Sequence, residues 1–258
     1  MVTVSSSTTT AGDRLAGTTA LVTGASRGFG RAVTEALVGA GVAVVGVARD
    51  RDALDDLRRG LGPAFTPVVA DATDPVTAGV LLDEHRPQTL VLVAGARPLS
   101  RPLHRHTWQS FSRNWEVDVA QAFHWVRETL LHPVPDATVI TFSSGAAVQG
   151  SPISGGYAGA KAAVRFLTGY ANAEVQREAL PVRFVSVLPE LTPTTGLGSR
   201  AVAAYAERLG VDVATFLAGR GPALTPEQVG AAVVDLAGRR ELDRDAYLLG
   251  AAGLRELP

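Results

Sequence analysis

Three side chains of the sequence could together move a proton to or from a bound oxygen atom: Ser144, Tyr157 and Lys161. Tyr157 and Lys161 are four residues apart, so on a helix both lie on one face and can contact the same ligand. A free phenol has a pKa of about 10, too high for a base at neutral pH, but a neighbouring ammonium group stabilises the phenolate. Ser144, thirteen residues before Tyr157, could hydrogen-bond the same oxygen. The alternative is an amphipathic helix with an ordinary tyrosine and a surface lysine.

A glycine-rich turn between a predicted strand and a predicted helix could bind phosphate groups. The segment TGASRGFG occupies residues 23–30. One glycine makes the sharp turn, a second lets backbone N–H groups approach a pyrophosphate, and a third lets the helix pack against the sheet. The candidate binding residues of this turn are Gly24, Ser26, Arg27, Gly28, Phe29 and Gly30. A tight turn without a ligand is the alternative.

Both motifs resemble those of the short-chain dehydrogenase/reductase superfamily. The Gly-x-x-x-Gly-x-Gly turn is similar to that family's cofactor signature, and Ser144 with Tyr-x-x-x-Lys is similar to its active site. The resemblance extends over roughly residues 18–250 and implies a nicotinamide-dependent oxidoreductase, in which Lys161 also binds the nicotinamide ribose. It further implies that predicted helices at residues 108–131 and 156–180 pack against their copies in a homodimer or homotetramer.

The residues after the second predicted strand favour NADP(H) over NAD(H). In the family an acidic residue there binds both adenosine ribose hydroxyls, whereas Ala48 occupies that place in this sequence. Arg27 and Arg49 could instead direct two guanidinium groups at a 2′-phosphate. Alternatively, both arginines are solvated surface charges and Asp50 binds the ribose.

The resemblance implies further cofactor contacts after the third and fourth predicted strands. Asp71 and Ala72 are similar to family residues that hold the adenine amino group. Asp71 could instead cap the helix that begins near Pro75. Ala94 and Gly95 follow the fourth strand and are also candidates for the cofactor pocket.

The segment after the sixth predicted strand contains candidates for contact with the nicotinamide. Pro189 resembles the proline of the family's Pro-Gly segment, and Thr194 is the first choice for contact with the nicotinamide amide, with Thr192 second. Both threonines could equally be turn residues. Glu190 replaces the family's glycine and could contact substrate or cap a lid.

Two more residues depart from the family pattern close to the expected active site. Val93 replaces the asparagine of an Asn-Ala-Gly segment, and Asp118 replaces an asparagine of a helix. If the Asp118 carboxylate lies near Lys161, Coulomb attraction favours the ammonium form of the lysine. We therefore expect Asp118 to take part in catalysis, with an altered dependence on pH.

The substrate is expected to be a largely apolar or aromatic carbonyl compound or alcohol, because the candidate pocket residues are mostly apolar. Reduction is the favoured direction. Arg97 leaves room for an anionic group. The candidates, each of which could instead be core, are Arg97, Pro98, Leu99, Ala146, Val148, Ile153, Leu191, Leu197, Tyr205 and Phe216. The alternatives are a step without net redox, such as epimerisation or dehydration, and a non-catalytic NADP(H)-binding protein.

The elements that would position these residues alternate between strands and helices, as in βαβ units. Together with the resemblance, this pattern predicts an α/β fold: a Rossmann-type, doubly wound sheet of seven parallel strands with helices on both faces. The predicted strands are at 19–23, 43–48, 66–69, 89–93, 138–143, 183–188 and 247–249. The predicted helices are at 31–39, 52–59, 75–85, 108–131, 156–180 and 226–238.

Length and charge bound the remaining possibilities. The 258 residues suit one domain, predicted over residues 17–258 after a flexible tail at 1–16, with a substrate lid at about 190–224. A net charge of -1 provides no field for nucleic acid or an anionic membrane. Without cysteine, and with no third ligand near His104 and His106, no metal is expected. The lack of a signal sequence or long apolar run favours a cytoplasmic protein.

Overall fold

The strands of the described part of the chain form one mixed sheet of eight. The computed structural model describes residues 11–257. In chain order the strands are β1 Thr19–Thr23, β2 Ala43–Ala48, β3 Phe65–Val69, β4 Thr89–Leu92, β5 Ala137–Phe142, β6 Val182–Pro189, β7 Ala246–Gly250 and β8 Gly253–Glu256. They lie in the order β3-β2-β1-β4-β5-β6-β7-β8. The order changes direction between β1 and β4, so a ligand crevice is expected at the carboxyl ends of these two strands.

The prediction of a doubly wound parallel sheet is confirmed, and an eighth strand extends it. β1 to β7 are all parallel to their neighbours, whereas β8 pairs antiparallel with β7 through a turn between Gly250 and Gly253. The predicted count of seven strands is too low because β8 has only four residues, none of them buried, and so shows no apolar alternation.

Helices cover both faces of the sheet. In chain order the α-helices are α1 Ala11–Leu15, α2 Gly28–Gly39, α3 Arg51–Leu61, α4 Pro75–His85, α5 Trp108–Asn114, α6 Ala120–Leu131, α7 Ala146–Gln149, α8 Gly155–Glu178, α9 Gly196–Leu209, α10 Val213–Ala218 and α11 Pro226–Gly238. On one face α2 and α11 pack together, and on the other α6 packs between α4 and α8. Gly230 allows the close approach of α2 and α11, since a Cβ there would lie 2.7 Å from the carbonyl oxygen of Ala32.

The helix predicted over residues 108–131 is helical throughout in the structure, but it contains a π-helical turn. α5 ends at Asn114, the π-helical turn follows over Trp115–Val119, and α6 begins at Ala120. Short π-helical insertions are uncommon and are often found at functional sites. This insertion lies next to α8, which carries Tyr157 and Lys161.

The predicted lid contains α9 and α10, whose side chains form a small cluster of Val202, Ala206 and Phe216. The predicted flexible tail is wrong for its last part, because Ala11–Leu15 form α1 and Leu15 is buried in the core. Residues 1–10 of that tail lie outside the described residues. In the part of the chain from 11 to 257, none of the helices has the length and apolar character that crossing a membrane would require.

Candidate active site

Ser144, Tyr157 and Lys161 line one large cavity at the carboxyl ends of the strands. Ser144 follows β5, and the other two lie on successive turns of α8. The Lys161 Nζ lies 5.8 Å from the centroid of the Tyr157 ring. The Ser144 Oγ accepts a hydrogen bond of 3.2 Å from the backbone N–H of Ala146, so its own proton can be directed at a ligand. The structure thus brings the three predicted catalytic residues to one site.

The ammonium group of Lys161 is buried and has two oxygen partners. Its Nζ donates a 2.9 Å hydrogen bond to the carbonyl oxygen of Phe142 and lies 3.1 Å from the Asp118 Oδ2. The side chains of Lys161 and Asp118 are only 7% and 1% exposed. Burial lowers the pKa of Lys161, but the charges of Asp118 and the Tyr157 phenolate outweigh burial and raise it above its usual value. Lys161 therefore stays charged beside Tyr157.

The carboxylate of Asp118 is fixed by groups from a loop and from α5. Its Oδ1 accepts a hydrogen bond of 2.7 Å from the N–H of Ala96 and one of 3.3 Å from the Asn114 side chain. Asn114 also donates to the carbonyl oxygen of Ala96 at 2.9 Å. Gly95 makes room for the carboxylate, because a Cβ at Gly95 would lie 2.9 Å from the Asp118 Oδ2. Asp118 is part of the π-helical turn, which places it opposite Lys161.

The glycine turn forms a tight cradle between β1 and α2. Gly24 has a φ of 72°, and a Cβ there would lie 2.9 Å from the Ala94 backbone. At Gly30 a Cβ would lie 2.1 Å from the carbonyl oxygen of Gly24, so a side chain is excluded. Arg27 precedes α2, and no side chain caps the first N–H groups of this helix. Uncapped N–H groups at a helix start suit a phosphate group.

The three predicted catalytic residues and the glycine turn share this cavity, whose volume is about 1050 Å³. A drug-sized ligand occupies a pocket of roughly 300–1,000 Å³, so the cavity has room for a dinucleotide with a second small molecule beside it. The cradle and the space thus fit a nicotinamide dinucleotide. Among residues 11–257, no cluster of three or more histidine or acidic side chains is placed to hold a metal ion.

A family model described as short chain dehydrogenase matches residues 18–204. The chain belongs to this family. It is 30% identical to L-xylulose reductase of Mus musculus over 182 residues, 69% of this chain and 74% of the relative. It is 28% identical to cis-4-hydroxycyclohexanecarboxylate dehydrogenase of Sinomonas cyclohexanicum over 253 residues, 93% and 95% of the two chains. A probable NADP-dependent dehydrogenase of Haemophilus influenzae is 46% identical over 57 residues, 22% and 23% of the two chains. The family makes the chain an oxidoreductase.

In this short-chain dehydrogenase, Arg27, Arg49 and Asp71 all line the part of the cavity next to the glycine turn. Arg49 Nη1 lies 3.7 Å from the Asp71 Oδ2, and both side chains are largely exposed. The backbone N–H and the hydroxyl of Thr73 both donate hydrogen bonds to the Asp71 carboxylate. The backbone hydrogen bond above all, with the hydroxyl and the charge of Arg49, holds the pKa of Asp71 below its usual range. Asp71 is therefore charged and available at the cavity wall.

The structure shows which acidic residues at this end cap a helix. Asp50 caps α3, since its Oδ1 accepts a 3.1 Å hydrogen bond from the N–H of Ala53. Asp71 does not cap α4, because Asp74 does so by accepting from the N–H of Val76. Asp71 thus remains a candidate for the adenine, and Asp50 already has a structural role.

The other candidate cofactor residues are also at the cavity, with one exception. Those that line it are Gly24, Ser26, Gly28, Phe29, Gly30, Ala72, Ala94, Gly95, Pro189 and Thr192. Thr194, the first choice for the nicotinamide amide, is exposed and lies outside the lining, whereas Thr192 is buried. The placement therefore favours Thr192, together with Thr195, which caps α9.

The substrate part of the cavity contains most of the residues expected there. The predicted residues that line it are Arg97, Pro98, Ala146, Ile153, Leu191, Leu197 and Tyr205. Three predicted residues do not line the cavity: Leu99, Val148 and Phe216. Val148 is exposed, and Phe216 packs in the cluster with Val202 and Ala206. Glu190 also lines the cavity, and a Cβ at Gly250 would lie 2.8 Å from its Oε2.

Sequence reasoning missed Asn114 and Arg220. Asn114 lies four residues before Asp118, a spacing that could have indicated a contact on one helix face. Arg220 lines the cavity from the end of the lid, after α10. Arg220 lies between two glycines, and this sequence context does not predict a place at the cavity.

Proposed function

We propose that the chain is an NADP(H)-dependent oxidoreductase that interconverts a carbonyl group and an alcohol on a small, largely apolar molecule, chiefly in the direction of reduction. The observation that carries the proposal is the position of Tyr157, beside the charged Lys161 and on the same cavity as the glycine turn. A proton donor and a dinucleotide cradle on one cavity suit the delivery of hydride and proton to a single carbonyl group.

The side chains of the site account for the proton part of the reaction. A bound nicotinamide cofactor supplies or accepts the hydride. Tyr157 donates its phenolic proton to the substrate oxygen in reduction and removes that proton in oxidation. The Ser144 hydroxyl donates a hydrogen bond to the same oxygen and holds it in position. Lys161 remains an ammonium group, whose charge stabilises the phenolate formed when Tyr157 gives up its proton.

The proposal is tested by mixing the protein with NADPH and a panel of aromatic and alicyclic ketones. We expect NADPH to be consumed in proportion to the alcohol formed. Tyr157→Phe should still enhance NADPH fluorescence on binding, but its turnover should fall by about 10²–10⁴-fold because the proton donor is lost. Tyr170→Phe, which removes a hydroxyl of the same helix outside the cavity lining and keeps the ring that stacks on Phe166, is the matched control and should keep full turnover.

Other outcomes would support the alternative functions. Product formation without stoichiometric consumption of NADPH would indicate epimerisation, dehydration or another step without net redox. A function that is intact in Tyr157→Phe would indicate a non-catalytic NADP(H)-binding protein. No fluorescence change with NADPH would contradict both the main proposal and these alternatives.

The preference for NADP(H) rests on Arg27 and Arg49 at the cavity wall and on Ala48 in place of an acid. A charge-assisted hydrogen bond contributes about 1.5–3 kcal/mol, so losing one contact to the 2′-phosphate should cost about tenfold or more. We expect Arg49→Ala to raise KM for NADPH by that factor and to leave KM for NADH unchanged. Arg51→Ala, an exposed arginine that does not line the cavity, is the control. An equal change for both cofactors would contradict the assignment.

A ring-containing alcohol or ketone is the proposed substrate class. The cavity that Tyr157 lines also includes the apolar side chains of Ile153, Leu191 and Leu197. Apolar walls with a few polar groups favour a compact apolar body over a sugar phosphate. The relative from Sinomonas cyclohexanicum, matched over nearly the whole chain, is named for a hydroxylated cyclohexane ring.

We also propose a homodimer or homotetramer formed through α6 and α8. These two helices pack side by side, and each carries exposed aromatic side chains: Phe123 on α6, and Phe166 and Tyr170 on α8. The Phe166 and Tyr170 rings stack with their centroids 6.3 Å apart. Adjacent exposed aromatic groups are typical of a protein interface, and a second copy presents the same face to cover them.

A further inference from the structure

Arg220 is a cationic side chain held in place at the wall of the cavity. It follows α10, and its guanidinium carbon lies 4.3 Å from the centroid of the Phe216 ring. Phe216 is buried, and on it the Tyr205 ring stacks almost parallel, with a centroid distance of 6.0 Å. A guanidinium group over an aromatic face is held by cation–π attraction and loses less freedom when it binds a ligand. Phe216 therefore serves as a platform for Arg220 rather than as a wall of the cavity.

Two arginines of the substrate part of the cavity have no acidic partner in the structure. Arg97 and Arg220 both line the cavity. Within residues 11–257, no carboxylate oxygen lies within 4.0 Å of either guanidinium group. A guanidinium group can form two parallel hydrogen bonds to a carboxylate, so such a pair is suited to an anionic ligand.

The charges around this part of the cavity favour an anion. The segment from Arg97 to Asn114 contains no aspartate or glutamate, and Arg97 is its one charged residue in the cavity lining. The charge of Lys161 is balanced by Asp118. The carboxylate of Glu190 opposes the arginines, but it lies against Gly250 at the end of β7. Arginine side chains in a cavity lining raise the local concentration of an anionic substrate.

We propose that the substrate carries a carboxylate group that binds Arg220 and Arg97, while its ring lies on the apolar lining and its carbonyl or alcohol oxygen contacts Tyr157. The inference rests on the proposed function and adds to it a substrate class, the ring-containing oxo or hydroxy acids. Arg220 is the principal contact, because Phe216 fixes it in position. Arg97, without a ring beside it, is the second.

The test compares 4-oxocyclohexanecarboxylate with its methyl ester, which has the same ring and carbonyl group but no charge. We expect the wild type to reduce the acid with the higher kcat/KM. Arg220→Met should lower kcat/KM for the acid by about 10–100-fold, the equivalent of one charged hydrogen bond, and leave the ester almost unaffected. Arg97→Met should have a smaller effect in the same direction. Arg200→Met, an exposed arginine of α9 that does not line the cavity, is the control for charge.

A binding measurement separates this inference from the proposed function. Calorimetry with cyclohexanecarboxylate and cyclohexanecarboxamide on the full chain with NADP⁺ should show tighter binding of the acid, lost in Arg220→Met. Reduction of the ester but not of the acid would overturn the inference and leave the proposed function standing. If neither ketone is reduced, the proposed function fails for this class. The inference would then be overturned as well if the wild type bound the acid and the amide with equal affinity. It would also be overturned if the wild type and Arg220→Met bound the acid equally well.

Discussion

Asp118 and Lys161 form a buried ion pair in which each charge has further partners. The carboxylate accepts from Ala96 and Asn114, and the ammonium group donates to Phe142. A buried pair with such partners adds little net stability, but removal of one member leaves the other charge without compensation. We therefore propose that Asp118 is a positioning residue, which acts through the charge and the place of Lys161.

The charge of Asp118 should be visible in the pH dependence of turnover. In Asp118→Asn the burial of Lys161 remains while the attraction is lost, so the pKa of Lys161 should fall. We expect the alkaline limb of the kcat/KM profile to move to lower pH by about 1–3 units. Glu116→Gln, which removes an exposed carboxylate of the same π-helical turn, should leave the profile in place. Superimposable profiles for wild type and Asp118→Asn would contradict this role.

The same substitution should change stability with a defined sign. The pKa of Lys161 is raised in the folded state. The contribution of its charge to stability is therefore fully present below the usual pKa of lysine and is lost as the pH rises through the raised pKa of the folded state. Asp118→Asn should therefore lower the free energy of unfolding near neutral pH, by up to about 3–5 kcal/mol. The difference from wild type should shrink above about pH 10. Urea unfolding at several pH values measures it, and a constant difference would contradict the expectation.

Among the elements, the predicted lid is joined to the start of α8 by hydroxyl groups. Tyr205 of α9 shares a 2.6 Å hydrogen bond with Ser151. The Ser151 Oγ also accepts from the N–H and the hydroxyl of Ser154, the residue before α8. α9 is thus tied to the turn that leads to Tyr157, so we expect a shift of α9 to affect the position of α8.

Tyr205→Phe should loosen this connection without disturbing the aromatic stack on Phe216. The ring is retained and one hydrogen bond is lost, a change of about 0.5–1.5 kcal/mol. We expect KM for the ketone to rise by several fold, kcat to change little, and proteolysis within residues 190–224 to become faster. Tyr170→Phe, which removes a hydroxyl of α8 outside the cavity lining and keeps the ring, should show none of these changes. A fall in kcat alone would show instead that Tyr205 contributes to the chemical step.

The elements also show which parts of the site could be predicted from sequence. A spacing of four residues is enough to place Tyr157 and Lys161 on one face of a helix. Runs of β-branched residues are enough to identify β1 to β7. The π-helical turn could not be predicted, because apolar spacing runs through it unchanged. The stacking of Arg220 on Phe216 depends on the path of the lid, which no periodic pattern encodes.

Across the described chain, the sheet divides the apolar core into two layers. One layer packs under α2 and α11, and the other under α4, α6 and α8. The aromatic residues exposed on α6 and α8 lie outside both layers. They contribute nothing to the core of one chain, which is why we assign them to contact with a second copy.

Introducing a charge at this face should change the mass of the particle in solution. We expect wild type to elute as a dimer or tetramer in size-exclusion chromatography with light scattering. Phe166→Glu should lower the measured mass, because a carboxylate buried between two copies is strongly unfavourable. Val80→Glu introduces the same charge at an exposed apolar residue of α4 and should leave the mass unchanged. A monomeric wild type, or an unaffected Phe166→Glu, would contradict the assignment.

The two outer strands of the sheet have a consequence for how copies of the chain can meet. β3 carries Pro67, which has no N–H to offer, and β8 is four residues long and carries Arg255 and Glu256. Short, charged or proline-containing borders discourage strands of separate molecules from joining into a continuous ribbon. The fold thereby resists open-ended polymerisation, and helix surfaces remain as the route to a closed, finite assembly.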